Sequence, residues 1–290
     1  MSKLLLEGVM AVSLCLEEAR RRWQEGEWVE RGRIFVQADG MGTPAAAYPT
    51  YTCPTAREDW TKHHQTGKYG PPTEDGPTTI GFGKLLFFTA NPFPIRAGAV
   101  VPFTRTKHPD LTYEERLEFI CWIASAEEDV TGGTNEDAGR GIKYLAHPQA
   151  LPGRVPLFDH RPDWVCVTAA GRLGYTPSHL PAGLHVSGHS PEVVATVLDR
   201  WVTALRVKGI HCNTVGTGLE WWLFPRRLGS PDHDRFAFAE LGGLVVLYSY
   251  ELSTPECEIM ARLHDTVMPR GDAVYGELLE LGRTTLESSS

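Results

Sequence analysis

Apolar positions along the chain switch between a helical and a strand period, and the switches divide it into elements. Leu5, Val9, Val12, Leu16, Ala19 and Trp23 recur at helical spacing and predict an amphipathic first helix packed on a core. Residues 32–39, GRIFVQAD, are rich in β formers and predict a strand. From 40 to 77, Gly, Pro, Thr and Tyr crowd the sequence without a sustained period, which predicts a long loop of the kind that often serves as a lid or binding segment. Residues 79–90 and 97–105 predict two strands around a Pro-rich turn, with Pro102 favouring an edge position for the second. Residues 110–129 predict a helix, with Thr112 ahead of Glu114 and Glu115 at its positive end and Leu117, Ile120, Cys121 and Ala124 as its apolar stripe.

Four prolines fall within 147–164, where neither a helix nor a central strand is expected to run. Beyond them, 163–171 reads as a buried strand and 182–188 as another. A strong helix follows from Ser190 to about Lys208. The runs LEWWLF, RFAFAEL and LVVLYSYEL read as strands, the last two as a hairpin around Gly242 and Gly243, and 272–286 as a closing helix. The sum is an α+β fold with mixed or antiparallel sheets and a few packed helices, in two halves. An N-terminal half (1–146, with the loop 40–77) joins a C-terminal half (164–290) through the Pro-rich connection 147–163.

Composition narrows the function classes. A formal net charge of −8 argues against a wholesale grip on nucleic acid, and the clusters Arg20–Arg22 and Arg226–Arg227 read as solvated faces. The six cysteines lie far apart with no Cys-x-x-Cys pair, which fits reduced thiols and a cytoplasmic location. Glu7 and the acidic stretch at Glu17–Glu18 spoil the resemblance of the N-terminus to a signal peptide. No apolar run has the length of a membrane span.

Candidate chemistry centres on GLHVSGHSPEVV, residues 183–194. Ser190 suits an N-cap and Pro191 the first helical position, so His185 falls in the strand and His189 in the turn, and the two imidazoles do not share a helix face. His185 and His189 are the catalytic candidates. Ser187, Gly188, His189 and Ser190 are the anion-binding candidates, because a tight turn into a helix start presents N–H groups, hydroxyls and the positive dipole end. A metal there would need further donors such as His211 or Glu220, and none is assigned. The sequence specifies no cofactor.

Three other stretches carry less. Glu256 and Glu258 flank Cys257 in what reads as a turn into a short helix, and the two acids disfavour a thiolate. Asp232, His233 and Asp234 fit turn chemistry. Trp221 and Trp222, which point to opposite sheet faces, join Tyr248 and Tyr250 as interaction candidates.

Neither a Gly-x-Ser-x-Gly elbow, a His-Glu-x-x-His helix, a phosphate loop nor a dinucleotide fingerprint is present. The leading expectation is therefore a cytoplasmic binding or interaction protein without catalysis, of the inhibitor, immunity or accessory-subunit type. Its expected partner is a protein or a small-molecule ligand. The alternative is a small-molecule or nucleotide-handling enzyme, possibly metal-assisted, with an inter-domain pocket and a histidine/serine site at the turn 185–190.

Overall fold

The computed structural model describes residues 12–25, 29–37, 44–52, 79–91, 95–136, 146–233, 235–247 and 254–290. Strands in chain order are β1 (Val29–Gln37), β2 (Pro44–Thr52), β3 (Thr79–Phe82), β4 (Leu86–Ala90), β5 (Val100–Thr104), β6 (Val130–Glu136), β7 (Gln149–Pro152), β8 (Asp163–Val167), β9 (Gly171–Tyr175), β10 (Leu184–Gly188), β11 (Cys212–Thr217), β12 (Glu220–Pro225) and β13 (Leu244–Leu247). Helices are α1 (Val12–Glu25), α2 (Tyr113–Ala124), α3 (Pro191–Val207), α4 (Phe238–Leu241), α5 (Glu256–Asp265) and α6 (Ala273–Ser288).

Ten strands form one sheet in the order β3-β4-β5-β7-β6-β11-β12-β10-β9-β8, and β13-β1-β2 form a smaller one. The strands of both sheets pair antiparallel, so the α+β class holds. Strands β6 and β11, from the two expected halves, lie side by side and make the large sheet continuous across them.

Strand alternation gives this sheet two apolar faces. Leu173, Leu184, Val186, Trp221 and Leu223 pack with residues of α1, α2, α3 and α6. Trp222, Phe224, Val215 and Leu151 point the other way and pack with Phe158, Phe238, Leu244, Ile259 and Leu263. Among the described residues, no helix is long and apolar enough to cross a membrane.

Helix ends follow their local chemistry. Thr112 accepts from the Glu115 N–H while the Glu115 carboxylate accepts from the Thr112 N–H, a reciprocal capping box. Ser190 accepts from the Val193 N–H at 3.4 Å with Pro191 at the first helical position, so the strand-to-helix turn stands where the sequence places it.

Several expectations are corrected. The stretch 79–90 is two strands, because Glu118 accepts from Leu85 and Leu86 N–H groups and fastens a turn between β3 and β4. Pro102 lies on an interior strand; β7 meets β5 only at Val100 opposite Ala150, so a proline two residues on interrupts little of that ladder. The Pro-rich connection contains β7, an interior strand ending at Pro152, and a 3-10 turn starting at Pro156. The expected buried strand after it is β8, the exposed sheet edge. RFAFAEL forms α4, not half of a hairpin; Gly243 at φ +94° turns the chain into β13, which pairs with β1. The loop 40–77 is interrupted by β2, and 53–78 lie outside the described residues.

Candidate functional site

His185 occupies the second position of β10, opposite Trp222 on β12 and Gly174 on β9. Gly174 is in turn opposite Trp164 on β8. Residues paired across antiparallel strands share a face, so Trp222, His185, Gly174 and Trp164 form one row across four strands. Within it the His185 ring lies 4.3 Å from the Trp222 ring and 5.0 Å from the Trp164 ring, centroid to centroid. Trp164 and His185 sit two strand spacings apart and meet over a glycine. A β carbon at position 174 would lie 2.8 Å from the Asp163 carbonyl oxygen, too close for any side chain. Immediately after Trp164 the β8–β9 register slips, a bulge of the kind that re-aims a side chain.

The row is apolar enough to hold the imidazole neutral. His185 is 1% exposed, and burial alone pushes its pKa down to about 3. Its Nδ1 and the Nε1 of Trp222 are both buried without a hydrogen-bond partner. Buried polar atoms of this sort are uncommon, and each costs about 1–3 kcal/mol relative to a satisfied one.

Two residues further along β10, on the same face, a second and polar row begins at Ser187, which is opposite Arg172 on β9 and Glu220 on β12. Among the described residues no hydrogen bond or ion pair engages the Arg172 side chain; its guanidinium leans over Trp164, 5.7 Å from the ring centroid. Glu220 lies 3.8 Å from Arg154, a solvent-exposed pair of small energetic weight. The two rows together bring a buried imidazole, a hydroxyl, an exposed guanidinium and a carboxylate onto one face of the sheet, with an indole that is 40% exposed at its edge. Such a set can hold an anionic group at Arg172 and Ser187 beside an unprotonated ring.

The other candidates distribute as follows. Gly188 is buried and His189 exposed, and neither backbone N–H is free: Gly188 donates to Leu219 and His189 to Ala170. Ser190 spends its hydroxyl on the helix cap. Of the turn residues Ser187 shares the sheet face of His185, while the N–H groups of Gly188 and His189 are already paired. Trp221 and Trp222 are each 1% exposed and serve the two cores, so neither reaches the surface. Tyr248, Tyr250 and Asp234 lie outside the described residues.

His211 precedes β11 and pairs with Arg226, four residues from Trp222 along β12 and so about 13 Å from it at ~3.3 Å per residue. Its Nδ1 lies 3.2 Å from the His233 Nε2. It is not brought to His185. Among the described residues no group of three or more His, Cys, Asp or Glu side chains is arranged to hold a metal. Cys257 is exposed at the start of α5, and Asp232 is held by Arg262 through two hydrogen bonds.

Sequence reasoning missed Trp164 and Arg172. Trp164 falls in a stretch whose composition predicts a buried strand, and Arg172 in a strand with too few apolar residues to show a period. Only the pairing of β8 and β9 onto β10 brings them to His185.

No family model matches the chain, and no curated protein matches it. Solved structures do. The yeast Ap4A phosphorylase Apa2 superimposes with a TM-score of 0.57 at 12% identity, covering 92% of this chain and 98% of that one. The same enzyme in complex with Ap4A gives 0.57 at 13% identity, with 90% and 99% covered, and in complex with AMP 0.54 at 14%, with 90% and 98% covered. This likeness corrects the expectation of an interaction protein without catalysis. That expectation rested on missing local signatures, whereas a site assembled from several paired strands leaves no contiguous motif. At this level of identity the likeness to the yeast Ap4A phosphorylase is one of fold.

Proposed function

We propose that this protein is a nucleotide-handling enzyme acting at a phosphate group, with the site on the sheet face around His185 and Ser187. The observation that carries the reading is the buried Nδ1 of His185, without a hydrogen-bond partner, one row along the same sheet face from the exposed guanidinium of Arg172 and the Ser187 hydroxyl. The fold likeness to a phosphorylase solved with Ap4A and with AMP supports a nucleotide as the ligand class.

In this reading each group has a stated task. Arg172 and Ser187 bind and orient the phosphate, a planar guanidinium being suited to two of its oxygens at once. His185 stands next to it unprotonated. A ring with a pKa near 3 is a weak base at rest, but an anion drawn in beside it stabilises the imidazolium and raises that value toward the working pH. His185 thus gains basicity only when the phosphate is in place. Trp164 and Trp222 keep water from the ring.

The test is incubation of the purified protein with Ap4A, ATP and ADP, with and without inorganic phosphate, followed by anion-exchange chromatography, alongside calorimetric titration with AMP. Time-dependent conversion that disappears in His185→Gln and drops in Arg172→Gln is the expected result. The reading is overturned if none of these nucleotides is converted and none of them binds.

A further inference from the structure

We propose that Trp164 is the stacking platform for the nucleobase and that it makes the site select purine over pyrimidine nucleotides, an inference that rests on the nucleotide reading above. On the edge strand the large Trp164 indole remains 40% exposed, although the other two rings of its row, His185 and Trp222, are buried. Its position is fixed on two sides: the Trp164 and His185 rings meet in a T-shaped contact, centroids 5.0 Å apart at an interplanar angle of 74°, and the Arg172 guanidinium lies over the indole, 5.7 Å from its centroid. Among the described residues strand β8 pairs on one side only, with β9, which puts the indole at the edge of the sheet.

Geometry also orders the ligand. Trp164 belongs to the row of His185, while Arg172 and Ser187 belong to the next row on the same face, two residues and therefore about 6.6 Å further along the strands. That offset suits a ribose placed between a base on the indole and a phosphate at the guanidinium. A two-ring base covers an indole more fully than a one-ring base, and stacking on an aromatic side chain scales with the overlap.

The experiment is calorimetric titration of the intact protein and of Trp164→Leu, Trp164→Phe and Arg172→Gln with AMP, CMP and ribose 5-phosphate, with a thermal melt of each variant to confirm folding. Parent protein should bind AMP more tightly than CMP. Trp164→Leu should weaken AMP by roughly 5- to 100-fold, the range expected for losing one stacked base, and leave ribose 5-phosphate unchanged. Trp164→Phe should restore most of the AMP affinity, and Arg172→Gln should weaken AMP and ribose 5-phosphate alike. If AMP binds the parent and the folded Trp164→Leu variant equally, or if CMP binds the parent as well as AMP, the platform is refuted while the nucleotide reading stands. If no nucleotide binds the parent, both fall together.

Discussion

The Trp222 indole lies against the His185 imidazole, ring centroids 4.3 Å apart, on directly paired residues of β12 and β10, and a polar atom of each ring is buried without a partner. Burial among such neighbours disfavours the charged imidazolium.

A pH dependence of stability follows from it. The folded-state pKa of His185 is depressed to about 3, below an ordinary value of roughly 6.5, so below that ordinary value the unfolded chain binds a proton that the folded chain refuses. The contribution to stability is complete above pH ~6.5 and is lost as the pH falls toward 3, with a slope of at most about 1.4 kcal/mol per pH unit. Urea denaturation at pH 7 and pH 5 should show this loss in the parent and a shallower one in His185→Phe. Equal slopes would mean the ring is not held neutral.

Gly174 is the floor over which Trp164 and His185 meet. Gly174→Ala places a β carbon 2.8 Å from the Asp163 carbonyl oxygen and 3.2 Å from the Pro162 Cβ, and backbone cannot move aside as a flexible side chain can. Displacement of β8 is expected, with a loss of about 1–3 kcal/mol read from the melting temperature. The near-ultraviolet circular dichroism of Trp164 should change with it.

Arg226 is fully buried and donates to the Asn213 side chain and to the carbonyls of His233, Phe236 and Thr266. Asn213 in turn donates to Asn135, which accepts from the Phe238 N–H. Arg226→Leu leaves four acceptors without this donor, and a loss of about 3–5 kcal/mol is expected in chemical denaturation. A variant as stable as the parent would show that the network is not a structural hub.

The Thr112–Glu115 capping box makes a smaller and separable claim. Thr112→Ala removes the acceptor for the Glu115 N–H, and Thr112→Ser retains it. About 1 kcal/mol should be lost in the first and little in the second, measured by thermal melting.

How far the chain could be read without coordinates depends on the range of the interaction involved. Ser190 and Pro191 announce the start of α3, and Thr112 with Glu115 announces α2, because a cap is settled by residues within one turn of each other. The placing of His185 in a strand and His189 in a turn follows from the same local rule. By contrast, RFAFAEL has a strand's composition and forms a helical turn, since Glu240 accepts from the Ala237 N–H and Phe238 packs into the core beside Gly133, where any side chain would collide with it.

By itself, then, the sequence determined the α+β class, the helix starts and the alternation that turns His185 and Ser187 to one face, each being a matter of neighbours along the chain. Only the tertiary structure decided which strands lie beside β10. Trp164 and Arg172 come to His185 through β8 and β9, a relationship carried by hydrogen-bonded register between strands that periodicity within any one of them does not encode.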